Sequence, residues 1–198
     1  MSSIARAPAA RVVACVLVGL AYGLLVSRIP SPRAVGVFWV GNLSAPWLAL
    51  AFVAGWLQRS RLWAATAGML TDVAAIVGFY LHFLLADLGP HGPFLRAIPM
   101  PTRLADSIGP WLGFIAPWVG YAVVAGLVFG LFGWWWRRSR SLVAGAVVGL
   151  AFVLEPWAWA VYDGHLPHPY VIWIAEVVVG LVALAWVVAA RQVTQAQG

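Results

Sequence analysis

Three carboxylic acids lie inside long apolar stretches of the chain, and their type and position make them the first candidates for chemistry. Asp72, Glu155 and Glu176 are each flanked by aliphatic, aromatic and small residues. An ionisable side chain deep in a membrane helix costs about 2.5–3.5 kcal/mol to insert, so such a residue is by default a candidate for a functional site. Because no arginine lies in the middle of these stretches, a proton or a bound cation must compensate their charge.

Helical spacing predicts which side chains share a face with each acid. Residues three or four positions apart lie on one face of a helix, and small residues on that face allow helices to approach closely. Asp72 is therefore expected to face protein, on a stripe with small residues. The predicted stripes pair Asp72 with His82, Glu155 with Trp159, and Glu176 with Trp173.

Prolines extend this prediction to a binding pocket. Pro46, Pro117 and Pro156 fall inside helical patterns, where a proline removes a backbone donor and tends to kink the helix. Carboxylates, freed carbonyl groups and tryptophan rings would together suit a cation, or a cationic or aromatic small molecule. The alternative is that the acids are protonated or hydrogen-bonded structural groups. The predicted ligand-binding residues are Asp72, Glu155, Glu176, Asn42, His82 and Trp157.

The composition predicts the elements that position these residues. Of the 198 residues, 63% are hydrophobic and 9% are charged, which excludes an ordinary water-soluble globular domain. A membrane helix needs about 20 apolar residues, and the expected fold is an all-α, polytopic membrane helix bundle with six transmembrane helices in a single domain, residues 1–198. The helices are predicted at approximately 12–27, 34–57, 62–86, 107–136, 141–162 and 170–190.

The arginines predict the orientation of the bundle. With the amino terminus inside, eight arginines lie in cytoplasmic segments and four in outer loops, which favours cytoplasmic locations for both termini. The lack of lysine beside abundant alanine, arginine and glycine is typical of a GC-rich bacterial genome, so we expect a multi-pass protein of the bacterial inner membrane. Nucleic-acid binding is not expected despite the net charge of +6, because the arginines sit at helix ends. The compact turn Arg137–Arg140 is the strongest cytoplasmic signal, with a polybasic lipid-binding site as its functional alternative.

The sequence lacks the motifs of common enzymes and cofactor sites. It contains no HExxH, GxSxG or P-loop motif, and its only cysteine is Cys15, so neither a disulfide nor a CxxC redox pair can form within the chain. We expect no enzymatic activity and no cofactor. Asp163, His165 and His168 could offer metal ligands, but histidines in proline-rich loops are usually solvated, and no metal site is expected.

Two further patterns allow more than one interpretation. Ala45-Pro46-Trp47 and Ala116-Pro117-Trp118 each begin a similar run that leads to an Arg-Ser-Arg turn, which indicates either a duplicated helical hairpin or coincidence. The Gly-xxx-Gly motifs that begin at Gly19, Gly126 and Gly145 either pack within the bundle or dock a partner subunit or a second copy.

Some of these motifs resemble a known group of proteins. The run Asn42–Trp47, followed by Ala51-Phe52-x-Ala54-Gly55, Gly78-Phe79-Tyr80 and Leu154-Glu155, resembles an uncharacterised family of actinobacterial integral membrane proteins over most of the chain. That family has no assigned activity, so the resemblance implies no site residues. In size and helix count the chain is also similar to substrate-binding subunits of energy-coupling-factor transporters, a fold-level analogy in which Gly19-xxx-Gly23 replaces an Ala-xxx-Ala docking face.

These observations leave two hypotheses about function. The first is a protein that binds or transports a cation or small molecule through a polar site in the outer half of the bundle. The second is a structural or assembly subunit with no ligand of its own, in which the acids stabilise the fold and the glycine faces are the working surface. The lipid bilayer is the one partner that both hypotheses require.

Overall fold

The computed structural model of the chain describes residues 3–29, 41, 43–88, 100–166 and 169–196. Within these residues the chain forms six α-helices, which confirms the all-helical fold class. The helices are α1 (Ser3–Val26), α2 (Ala45–Trp56), α3 (Arg61–Leu88), α4 (Met100–Ser139), α5 (Leu142–Asp163) and α6 (Tyr170–Ala196).

Five of the six helices are long and apolar enough to cross a membrane, and α2 is the exception. Its 12 residues extend over about 18 Å, whereas the hydrocarbon core of a bilayer is about 30 Å thick. Five of the six predicted spans therefore correspond to helices with the length and apolarity that a membrane crossing needs. Part of the predicted span 34–57 lies outside the described residues, and the described helix begins only at Ala45.

Helix α3 lies at the centre of the packing. It contacts α1, α2 and α4, while α5 and α6 pack chiefly against each other. Helices α2 and α4 both also contact α5. The short helix α2 therefore lies between the group around α3 and the α5–α6 pair, and its amino-terminal end is placed to interact with α5.

Close helix contacts depend on glycine at several positions, of which Gly23 and Gly55 are examples. A Cβ atom at Gly23 of α1 would lie 1.9 Å from the carbonyl oxygen of Ala75 in α3, and one at Gly55 of α2 would lie 2.0 Å from the carbonyl oxygen of Gly130 in α4. No real side chain tolerates such distances, so only glycine allows these backbones to approach. The motifs beginning at Gly126 and Gly145 also face other helices of the same chain, and all three glycine faces thus pack internally.

The two arginine-rich turns lie together at one end of the bundle. Nη1 of Arg137 in α4 donates to the carbonyl oxygens of Trp56 at 3.0 Å and Leu57 at 3.2 Å, at the carboxyl-terminal end of α2. The indole N–H of Trp134 donates to the carbonyl oxygen of Arg59 at 3.3 Å. These bonds satisfy carbonyl groups that a helix end leaves without partners, and they fix the α2–α3 turn against the α4–α5 turn.

The prolines differ in their effect on the helices. Pro117 and Pro156 lie inside α4 and α5, as predicted. Pro46 instead lies in the first turn of α2, where a proline costs no hydrogen bond because that N–H has no partner within the helix. The prediction of a kink at Pro46 is therefore wrong, and the two Ala-Pro-Trp motifs occupy different positions in their helices.

Candidate functional site

The amino-terminal end of α2 is capped by a carboxylate from another helix. Both carboxylate oxygens of Glu155 in α5 accept backbone N–H groups, one from Ser44 and the other from Ala45 at 2.7 Å. The hydroxyl of Ser44, which occupies the N-cap position, makes no capping bond of its own. Glu155 thus does across the bundle what a serine or aspartate N-cap does locally, and its negative charge faces the positive end of the helix dipole.

Every backbone N–H in the first turn of α2 is accounted for. Glu155 accepts the N–H groups of Ser44 and Ala45, Pro46 has none, and the N–H groups of Trp47 and Leu48 bond the carbonyl oxygen of Ser44 at 3.1 and 3.2 Å. A helix that begins inside an apolar environment must satisfy these groups without water. These bonds leave no backbone N–H group of this turn without an acceptor.

A second carboxylic acid lies beside the first. Glu176 of α6 is close enough to Glu155 for their carboxyl groups to interact directly, and both side chains are buried. Carboxylates only accept hydrogen bonds, so a bond between the two requires a proton on one of them. As a carboxylate, Glu176 would have two buried oxygens without a donor among the described residues. The Glu155–Glu176 pair therefore needs a proton or a cation to satisfy its oxygens and balance its charge.

Aromatic rings surround the Glu155–Glu176 pair. Tyr22 of α1 lies within electrostatic range of Glu155, and its ring contacts that of Trp47 edge-on, with centroids 5.3 Å apart. Trp159 lies four residues after Glu155 and Trp173 three residues before Glu176, and the rings of these two tryptophans have centroids 6.2 Å apart. Trp173 is buried in an apolar cluster with Leu43 of the segment before α2. These rings give the pair an apolar environment in which an unpaired charge is costly.

Asp72 lies in a different environment. It is 3% exposed, which confirms that its stripe of α3 faces protein, together with the buried residues Gly68, Ala75 and Phe79. Its Oδ1 atom has no hydrogen-bond partner among the described residues. Within the same residues the structure gives no direct interaction between Asp72 and the two glutamates, so it brings together two of the three predicted acids and not the third.

The other predicted site residues differ in exposure and position. Trp157 is 67% exposed, because it is two residues from Glu155 and two residues turn a helix by about 200°. His82 is half-buried and, like Asp72, belongs to α3. Asn42 lies outside the described residues. His168, one of the loop residues considered as metal ligands, also lies outside them, whereas His165 is exposed.

The residues that sequence reasoning misses are those around α2. Ser44 contributes its backbone N–H to the site, rather than the hydroxyl that a sequence pattern would single out. Tyr22 falls within a Gly-xxx-Gly motif of α1, and nothing in that motif indicates its place near Glu155. A signal for the helix start is present, since a serine followed two residues later by a proline is a typical beginning of a helix.

A known protein family matches the amino-terminal part of the chain. Residues 3–98 match a family described as "Family of unknown function (DUF6518)". No curated protein and no solved structure matches the chain. The match includes α1, α2 and Asp72, but ends before Glu155 and Glu176. The expected resemblance to an uncharacterised family is therefore found over residues 3–98 rather than most of the chain, and it brings no activity with it.

Proposed function

We propose that the chain is an integral membrane protein that binds a proton or a small cation at the Glu155–Glu176 pair, as part of a binding or transport function. The observation that carries the proposal is Glu176, whose two oxygens are buried without a donor among the described residues, beside a second carboxyl group. Two adjacent carboxylates in an apolar site cannot both stay ionised without a compensating charge. When the two glutamates come together in the folded protein, the pair must therefore bind one proton or one cation.

A proton or a small inorganic cation fits this site better than an organic molecule does. Glu155 already uses both oxygens to hold the start of α2, which leaves the oxygens of Glu176 for a ligand. The rings of Trp47, Trp159 and Trp173 pack against their neighbours around the pair. A proton shared by two carboxyl groups needs no cavity, and an alkali cation prefers oxygen ligands such as these carboxylates. Asp72 is proposed as a separate protonatable group on α3.

The proposal predicts an exchange of cations for protons. Addition of Na⁺ or K⁺ to the purified protein in lightly buffered detergent should release about one proton per chain, because a cation that enters the site displaces the proton that compensates Glu176. A pH-sensitive dye measures the release. Glu176→Gln should abolish it, since a carboxamide does not ionise and so releases no proton when a cation binds.

The matched control is Asp106→Asn, which removes an exposed carboxylate and should leave the release unchanged. If the wild-type protein releases no protons with any alkali cation, and native mass spectrometry finds no bound species that Glu155→Gln removes, the cation site is wrong. The hypothesis of a structural subunit without a ligand would then be favoured, with the capping of α2 as the role of Glu155.

We further propose that both termini lie on the cytoplasmic side of a bacterial inner membrane. The support is that the turns around Arg59 and Arg137 share one end of the bundle, as expected if both are retained inside. In a Cys15→Ala background, Ser139→Cys should resist an impermeant maleimide in intact cells and react after lysis. Ile29→Cys, at the exposed end of α1, should react in intact cells. Labelling of Ser139→Cys from outside would reverse the orientation.

We propose no enzymatic role. The support is the absence of catalytic motifs from the sequence. In addition, both carboxylate oxygens of Glu155 are already engaged by backbone N–H groups. The assembly alternative receives less support, because the glycine faces that it required pack within the chain.

A further inference from the structure

The end of the bundle that carries the two arginine turns has a cluster of guanidinium groups around one indole ring. The guanidinium carbon of Arg61, from α3, lies 4.8 Å from the ring centroid of Trp134 in α4. That of Arg138, one helical turn after Trp134, lies 5.9 Å from the same centroid. Both arginines are exposed. Two cations from different helices are thus held at one aromatic side chain.

Among the side chains that the structure describes, no carboxylate is placed to neutralise this cluster. The six acidic residues are Asp72, Asp87, Asp106, Glu155, Asp163 and Glu176. Each lies in the middle of its helix or towards the end opposite the arginine turns, as the helix bounds require. Two like charges at one ring repel each other, so the arrangement is most favourable when an anion from outside the chain lies between or beside them.

Hydrogen bonds to backbone carbonyl groups hold the residues beside this cluster in place. Trp134 is fixed by the bond from its indole N–H to the carbonyl oxygen of Arg59, and Arg137 is held against the end of α2. Arg137 therefore serves the fold, whereas Arg61 and Arg138 make no hydrogen bond or ion pair within the described residues. Their donors remain available at the level where a helix end meets the membrane surface.

We infer that Arg61 and Arg138, with Trp134 between their helices, form a binding site for the phosphodiester headgroup of an anionic phospholipid. Guanidinium groups match the geometry of phosphate oxygens, and a tryptophan at a helix end lies at the depth of lipid headgroups. A lipid is the expected source because this end carries the apolar flanks of α3 and α4, with Leu62 75% exposed beside Arg61. The inference rests on the proposed membrane location and is independent of the Glu155 site.

The test uses the full chain, stripped of lipid in a neutral detergent, and native mass spectrometry. Phosphatidylglycerol and phosphatidylcholine with the same acyl chains are titrated separately, and glycerol 3-phosphate is titrated as the soluble headgroup. We expect phosphatidylglycerol to bind at lower concentration than the other two. Arg61→Gln combined with Arg138→Gln should raise its Kd about twentyfold, since each arginine near an anionic surface contributes about fivefold to affinity.

Two matched variants separate this site from general attraction. Arg28→Gln combined with Arg103→Gln removes the same charge near the opposite end and should leave the Kd within about twofold. Arg61→Lys combined with Arg138→Lys keeps the charge and should stay within about threefold, which also shows that the positions tolerate substitution. Equal binding of both lipids, equal loss in the two glutamine pairs, or binding of glycerol 3-phosphate as tight as that of the lipid would overturn the inference.

Discussion

Replacement of Glu155 by alanine is expected to lower the free energy of unfolding by about 3–5 kcal/mol, because it leaves one partly buried and one buried backbone N–H group without acceptors, each worth about 1–3 kcal/mol. The groups belong to Ser44 and Ala45 at the start of α2. The Ser44 hydroxyl makes no capping bond of its own. The loss of negative charge at the positive end of the helix adds to the effect.

A conservative replacement of Glu155 should separate the contributions of the two N–H groups to the free energy of unfolding. Glu155→Gln retains one carbonyl oxygen, which can accept one of the two N–H groups, so we expect about half of the loss caused by alanine. Unfolding of the purified protein with increasing sodium dodecyl sulfate, followed by circular dichroism, measures all variants on one scale.

Ser44→Ala provides the sharpest control. A serine at an N-cap normally contributes about 1 kcal/mol, but here its hydroxyl makes no such bond, and the variant should change the free energy of unfolding by less than about 0.5 kcal/mol. The capping role of Glu155 would be contradicted if Ser44→Ala destabilised the protein as much as Glu155→Ala, or if Glu155→Ala were as stable as the wild type.

The helices can be predicted from the sequence because their signals are local. Long apolar segments and the arginine turns place α3 and α5 within two residues of the structure at each end, and α6 at its observed start but six residues short of its end. The described helix α2 begins at Ala45, whereas most of the earlier part of the predicted span 34–57 lies outside the described residues. The Ser44-Ala45-Pro46 sequence holds the missing boundary signal.

The site can be predicted only in part, because its central contacts join residues far apart in sequence. Spacing correctly places Asp72 on a protein-facing stripe, whereas Trp157, predicted as a ligand-binding residue, lies on an exposed side of α5. The capping bonds connect residues 110 and 111 positions apart, and nothing in the local pattern of either segment specifies the other. Depth along each helix indicates that Glu155 and Glu176 lie at a similar level, whereas their direct interaction depends on how α5 and α6 pack.

A leucine at Gly23 is expected to separate α1 from α3. The new Cβ atom would lie 1.9 Å from the carbonyl oxygen of Ala75 and 2.7 Å from the backbone nitrogen of Phe79. Both obstacles are backbone atoms of a central helix, so a change of rotamer cannot relieve the clash and the helices must move apart. Overpacking usually costs about 1–3 kcal/mol, and this backbone clash should reach or exceed the upper end of that range.

The chain carries its own reporter for this separation. Cys15, the only cysteine, is 7% exposed on α1 and is buried in a cluster with Val12, Ala54 and Ala67. Movement of α1 exposes this thiol. Alkylation by N-ethylmaleimide in mild detergent should therefore be at least about tenfold faster in Gly23→Leu than in the wild type, because a buried thiol reacts only through local opening of the structure.

The same substitution at an open position isolates the helix contact as the cause. A Cβ atom added at Gly113 in α4 would meet no atom within 4 Å, so Gly113→Leu introduces the same side chain without a clash and should leave Cys15 as slow as in the wild type. A helix gains about 0.5–1 kcal/mol when glycine is replaced by a good helix former, so this control should not lose stability. Slow alkylation of Gly23→Leu, or equal acceleration by Gly113→Leu, would show that the contact between α1 and α3 does not protect Cys15.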